Sequence, residues 1–207
     1  RTKRLRDYQF GSIKWISIES RIGKGMSRLK ELTWEHHKNA ERQKFVKVLM
    51  GGKISPEVYA TFLYNQHPQY NILEVHAMAQ GLFDGLGDIR RGPAIFADYE
   101  ELWKDKDNPP KLLNVTKEYT DHIMSIGTDK NKLFAHVYTR HMGDLSGGQM
   151  INKRVPGEGR LYQFEDPNAL KTAIRERIDD SMAEEAKICF DFATKTFQEM
   201  MDVVESQ

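Results

Sequence analysis

From residue 23 onward, apolar positions recur at three- and four-residue intervals, the spacing of helices rather than strands. Leu29, Leu32, Phe45, Val46 and Leu49 predict a helix over Ser27 to Met50, stopped by Gly51-Gly52. Ser55-Pro56-Glu57 combines a capping side chain, a proline suited to the first turn and an early acid, so it marks the next helix start. That helix must kink or restart near Pro68 before it reaches Gly81. Further helices are predicted for Pro93 to Lys104, closed by Asp107-Asn108-Pro109-Pro110, for Lys111 to Gly127, and for Asp129 to about Val155. Asp166-Pro167 opens another, and Ser181-Met182-Ala183-Glu184 reads as a capping box for the last. Only Ser12 to Ser20, with Ile13, Trp15, Ile16 and Ile18, has strand-like composition, and its alternation breaks at Trp15-Ile16. The expectation is an all-α fold in one domain, residues 23–207, behind a basic N-terminal extension, residues 1–22.

Charge and cysteine content narrow the function classes. Lys plus Arg is 31 and Asp plus Glu is 30, a net charge of +1, which argues against a nucleic-acid or anionic-membrane partner. Cys189 is the one cysteine, so neither a disulfide framework nor a Cys-based metal cluster is available, and a reducing, cytoplasmic address is expected. No stretch approaches the roughly 18 apolar residues of a membrane span.

An all-α chain rich in acids invites a di-iron bundle, which needs Glu three residues before a ligand His. The residues three before the seven histidines are Thr33, Trp34, Tyr64, Leu73, Tyr119, Leu133 and Tyr138, none acidic. That chemistry fails at its defining feature. One segment instead breaks a local rule: Gly143, Gly147 and Gly148 lie inside a helical pattern, where each costs about 1 kcal/mol relative to Ala. Gly143 and Gly147 share one face and bare the backbone there, for another helix or for a flat ligand. Asp144 and Ser146 beside them favour a ligand with polar chemistry above it. Lys30, Thr33, His37 and Glu41 form a polar stripe on the first helix. Lys171 and Arg175, two cations four apart, suit either a solvated face or a bound anion. Taken together, these features describe a haem pocket: His37 as axial imidazole, the glycine face opposite, and Lys30, Lys171 and Arg175 at the carboxylate edge.

At these residues the sequence resembles haem (heme) oxygenase. Ala135-His136-Val137-Tyr138-Thr139-Arg140-His141-Met142-Gly143-Asp144-Leu145-Ser146-Gly147-Gly148-Gln149 is similar to the family's distal-helix signature, and His37-Lys38-Asn39-Ala40-Glu41 to its proximal motif. By that resemblance His37, not His36, is the metal ligand. Lys30, Tyr138, Lys171 and Arg175 correspond to propionate contacts, and Thr139 and Ser146 join Glu41 around the cofactor. The resemblance spans about residues 25 to 205, with His141 and Met142 standing where the family usually has Tyr and Leu.

The resemblance implies b-type haem sandwiched between a proximal helix and a kinked, Gly-rich distal helix, serving as cofactor and substrate, with molecular oxygen as co-substrate. Oxidative opening at the α-meso carbon would give biliverdin IXα, ferrous iron and carbon monoxide. Asp144 would anchor a proton-donating water, Arg140 would orient that carboxylate or its waters, and Gly143 and Gly147 would let the helix press close. Electrons must come from a partner, a ferredoxin or a flavoprotein reductase, and a downstream bilin reductase would take the product. Two rival readings are a non-catalytic haem carrier or sensor on the same fold, and a helical scaffold whose basic arm (Arg1, Lys3, Arg4, Arg6) contacts acidic protein or nucleic acid.

Overall fold

Two long helices form the spine of the computed structural model, which describes residues 27–206. Among the described residues there are ten α-helices and no strand: α1 (Leu29–Leu32), α2 (Trp34–Glu41), α3 (Lys44–Met50), α4 (Pro56–Ala79), α5 (Gly92–Leu102), α6 (Asn114–Ser125), α7 (Lys130–Ser146), α8 (Gly148–Asn152), α9 (Pro167–Arg175) and α10 (Ala183–Glu205). The extension and the strand-like Ser12 to Ser20 lie outside the described residues. The start signals work as read. The Ser55 side chain accepts from the Val58 amide at 3.2 Å, and Asp129 and Asp166 cap α7 and α9 in the same way.

Helix α4 is buried almost all round, packing on α5, α6 and α7. Of the kink or restart expected at Pro68, the restart does not occur: the helix is continuous there, and packing on three sides offsets a lost hydrogen bond and ring clash worth about 3 kcal/mol. Its buried side chains include Asn65, Gln66, Gln69 and Glu74. Asn65 Oδ1 accepts from the Leu113 amide and the Thr116 hydroxyl, both at 2.8 Å, which fixes the start of α6. Helix α10 packs against α7 along one part of its length and against α2 and α3 along others. Two apolar cores result. One gathers Leu73, Ile123, Phe134, Val137, Ile174 and Cys189; the other gathers Phe45, Tyr59, Phe62, Leu113, Tyr162 and Met200. Phe192 of α10 packs against both.

Three boundaries differ from the sequence pattern. The helix expected over Ser27 to Met50 is three short helices. Buried Thr33 turns its hydroxyl back to the Leu29 carbonyl at 2.8 Å, and Gln43 takes an extended conformation before α3. The helix expected to reach Val155 is interrupted at Gly147, and α8 ends at Asn152. The expected capping box at Ser181 does not form. Its hydroxyl is engaged by Asp179, whose carboxylate also accepts the Ser181 amide at 2.8 Å, and a 3-10 turn at Asp180–Met182 precedes α10.

The loop before α9 carries little sequence pattern yet is firmly held. Asp98 accepts the amides of Arg160 and Leu161 at 3.0 and 2.9 Å, and buried Arg91 donates to the Gln163 carbonyl at 2.6 Å. This brings Tyr162 against Gly148, where an added Cβ would lie 2.3 Å from the ring. Gly148→Ala should therefore destabilise the protein by about 1–3 kcal/mol in urea unfolding. Gly143→Ala, whose Cβ would meet no described atom within 4 Å, is the control and should cost nothing. Equal stability of the two variants would sink this packing account.

Candidate functional site

The site is organised by one stripe of α7: His136, Arg140 and Asp144, four residues apart. Arg140 points into the bundle. Its two terminal nitrogens donate to Gln69 Oε1 at 3.1 Å and Gln66 Oε1 at 2.8 Å, both on α4. Its guanidinium carbon lies 4.4 Å from the Tyr70 ring centroid and 4.7 Å from that of Tyr119. Arg140 makes no hydrogen bond to Asp144. The Tyr70 hydroxyl does, donating to Asp144 Oδ2 at 2.6 Å, so Arg140 steadies the ring that holds the carboxyl. Burial raises the Asp144 pKa to about 6, against the opposing effects of that hydrogen bond and of His141 and Arg140.

Tyr70, Tyr119, Gln66 and Gln69 were not singled out from the sequence. The available signal was the run of amides, Asn65, Gln66 and Gln69, inside the apolar stretch of α4.

The three glycines of the distal segment do different work. Gly148 is needed for the approach of Tyr162, whereas Gly143 borders open space and Gly147 would meet only the Gly143 carbonyl, at 3.5 Å. Ser146 carries a buried hydroxyl with no hydrogen-bond partner. The Thr139 hydroxyl donates to the Ala135 carbonyl at 2.9 Å, within its own helix. A bare backbone flanked by an unpartnered hydroxyl and a carboxyl held by one tyrosine fits a flat ligand with polar chemistry on its face.

On the other side, α2 leans on α10 and carries both candidate histidines. His36 is tied away, its Nδ1 2.8 Å from Asp191. His37 packs edge-on to Phe190 at 5.3 Å and near Trp34 at 5.7 Å, with its Nε2 3.3 Å from Glu41 Oε1. Burial lowers its pKa, Glu41 opposing and Lys30 assisting, so the imidazole is held neutral, as a metal ligand must be. Asp180 accepts from Ser27 Oγ at 3.1 Å and the Arg28 amide at 2.7 Å, joining the Lys30 end of α1 to the turn after α9. Arg175 is the electrostatic neighbour of both Tyr138 and Lys171: it opposes the rise that burial gives the Tyr138 pKa and adds to the burial that lowers that of Lys171. The residue types present thus suit haem: a neutral imidazole on α2, bare backbone on α7, and cations on α1 and α9.

His141 is turned into the core, its Nδ1 3.1 Å from the Val137 carbonyl and its Nε2 3.3 Å from the buried Glu74 carboxylate. Glu74 also accepts the amides of Arg91 and Gly92, so His141 belongs to a bracing network and is no candidate ligand on the glycine face.

The family model described as Heme oxygenase matches residues 25–206. The chain is 32% identical over 205 residues to heme oxygenase 2 of Macaca fascicularis, aligning 83% of itself with 64% of that protein, and so spans under two thirds of that relative. It is 29% identical over 203 residues to heme oxygenase of Guillardia theta, covering 84% of each. Among solved structures it resembles heme oxygenase from Leptospira interrogans, with a TM-score of 0.70 and 28% identity over 83% of this chain and 97% of that one. Heme oxygenase-1 from the cyanobacterium Synechocystis, solved in complex with heme, shares the fold at a TM-score of 0.73 and 23% identity, covering 86% and 94%.

The raised Asp144 pKa carries a sign that can be checked. A carboxyl with a folded pKa near 6 against 3.8 favours the native state when protonated. That advantage is complete at low pH and fades as pH rises from about 4 to about 6. Asp144→Asn cannot ionise, so its stability relative to wild type should grow across this window, by on the order of 2–3 kcal/mol. Urea unfolding of the haem-free protein at pH 4, 5, 6 and 7 measures it; a difference independent of pH would show that Asp144 is not desolvated.

Proposed function

The chain belongs to the heme oxygenase family, and from that we propose that it opens haem oxidatively at the α-meso carbon. Haem, when bound, supplies both the iron that activates molecular oxygen and the ring that is cleaved, giving biliverdin IXα, ferrous iron and carbon monoxide. The observation that carries the reading is Asp144: a desolvated carboxyl held by Tyr70 beside a helix face that Gly143 leaves bare.

His37 would hold the iron as a neutral imidazole, and Glu41 would orient the ring. A ring-nitrogen ligand is the weaker electron donor compared with a thiolate, which suits oxidation of the ring itself. Gly143 and Gly147 would admit the macrocycle close to α7. With its pKa near 6, Asp144 can accept and return a proton near neutral pH through a water on that face. Arg140, through Tyr70, positions that carboxyl. Ser146 and Thr139 would border the macrocycle on the α7 side. Lys30, Tyr138, Lys171 and Arg175 would receive the propionates and so set the in-plane rotation that selects the meso carbon.

The family needs an external electron donor. We assign that role to an acidic ferredoxin or flavoprotein reductase docking near Arg28, Lys30 and Lys171, with a bilin reductase downstream. Among the described residues no helix is long and apolar enough to cross a membrane. The cytoplasm is the compartment we assign, on the strength of the single buried Cys189. The division into an extension, residues 1–22, and one domain is supported by a family match that begins at residue 25.

The test is to titrate the protein with hemin, follow the Soret band, then add ferredoxin, its reductase and NADPH under oxygen. A biliverdin spectrum is expected, and stoichiometric hemin binding without one would favour the carrier or sensor reading. Asp144→Ala should bind hemin within about threefold of wild type, because iron and propionate contacts lie elsewhere, yet turn over at least about a hundredfold more slowly. Undiminished biliverdin formation would remove Asp144 from the chemistry. Replacing Lys171 and Arg175 together by Ala should weaken hemin binding modestly and give mixed biliverdin isomers on chromatography. A single unchanged isomer at full affinity would reduce the pair to surface charge.

A further inference from the structure

Two turns before Asp144 on the same stripe, His136 meets a second group of side chains that the proposed reaction does not use. His136 of α7, His122 of α6 and Glu185 in the first turn of α10 converge, with one potential ligand atom from each lying within 4.8 Å of the others. Both imidazole Nε2 atoms face the same Glu185 Oε1, at 2.5 Å for His122 and 2.9 Å for His136. We propose that these three residues bind a divalent first-row cation of the zinc type, tying α6, α7 and α10 together.

The ligand chemistry is apt. Two imidazoles and one carboxylate form a set that takes Zn²⁺ or Fe²⁺ and leaves a position for water. The ring at the closed end is already oriented, because the Tyr119 hydroxyl lies 3.0 Å from His136 Nδ1 and engages the nitrogen a metal would not use. His136 is fully buried and Glu185 is 8% exposed, while the His122 side chain is 23% exposed, so the cluster meets solvent chiefly at His122. Ligand atoms around a tetrahedral zinc lie roughly 3.3 Å apart. The present Nε2–Oε1 separations are those of hydrogen bonds, and they must open by roughly 0.4 Å at His136 and roughly 0.8 Å at His122. His122, the most exposed of the three and 5.4 Å from the Phe192 ring, is the residue whose shift would open the cluster.

The competing account is a carboxylate that only accepts hydrogen bonds from two imidazoles. Chelator-treated, haem-free full-length protein titrated with Co²⁺ separates the two. The proposal expects one equivalent to bind with the intense visible bands of low-coordinate Co²⁺, Zn²⁺ to displace it, and Zn²⁺ to raise the melting temperature. His122→Gln can still donate a hydrogen bond to Glu185, but its amide is a poor ligand. This variant and Glu185→Gln should each weaken binding at least a hundredfold and lose the melting shift, with circular dichroism confirming the fold. His37→Ala, which removes the histidine of the haem site, should bind Co²⁺ as wild type does, so haem binding and cation binding fail independently. No stoichiometric Co²⁺ band, a band that survives His122→Gln, or one that disappears in His37→Ala would each overturn the proposal.

Discussion

A guanidinium inside a helical bundle is the constraint on which the distal side depends. Arginine stays charged in proteins, and an interior charge costs several kcal/mol unless its environment replaces water. Around Arg140 that replacement comes from two glutamine carbonyls and two tyrosine rings, with its Nε left unpaired. These partners sit on α4 and α6, so the arrangement that solvates Arg140 also sets how α7 is rotated against both. The rotation in turn decides that Gly143 faces open space, that Asp144 meets the Tyr70 hydroxyl, and that His136 reaches Glu185. A lysine could not do this, since one ammonium cannot address two amides and stack between two rings.

Helix α7 therefore tolerates glycines that would weaken an isolated helix. Leu133, Phe134, Val137 and Leu145 bury its other face, and the stabilisation from a few fully buried side chains, roughly 1.5–3 kcal/mol each, exceeds the propensity lost at Gly143. The break at Gly147 falls where that packing gives way to the close contact between Gly148 and Tyr162. One short motif thus combines two unrelated demands for glycine, an open face and a tight contact.

Local signals made much of this legible. Ser55, Asp129 and Asp166 announce their helices because a cap is a matter of three or four neighbouring residues. The breaks at Thr33 and Gly147 and the failed cap at Ser181 were not readable, because each depends on what lies across the fold or on a competing side chain. The expectation of His37 over His36 rests on motif register alone; the structure adds a tertiary difference between the two, an Asp191 on α10 that engages His36. The same holds for Tyr70. Nothing at its position in the sequence hints that its hydroxyl will meet a carboxyl 74 residues away. The buried amides of α4 were the nearest clue, since polar residues persist in an interior only where something needs them.

The site's electrostatics suit the proposed binding of a dianionic, largely apolar disc by a chain with a net charge of +1. Burial softens the charge of the two proposed faces: it holds His37 below its ordinary value, so uncharged, and raises Asp144 to about 6, so that its carboxylate takes up a proton readily just below neutral pH. Neither face opposes an apolar ring with a fixed, unpaired charge. The cations of the proposed rim are exposed Arg175 and half-buried Lys171, which would meet carboxylates that also stay partly wet. Because a single neighbouring cation or carboxylate shifts such balances by a pKa unit or more, the separation of roles depends on distance along helices. His37 and Asp144 occupy different helices that both pack on α10, Lys171 and Arg175 sit on α9, and Lys30 on α1 is the proposed rim cation that also bears on a face, by lowering the His37 pKa.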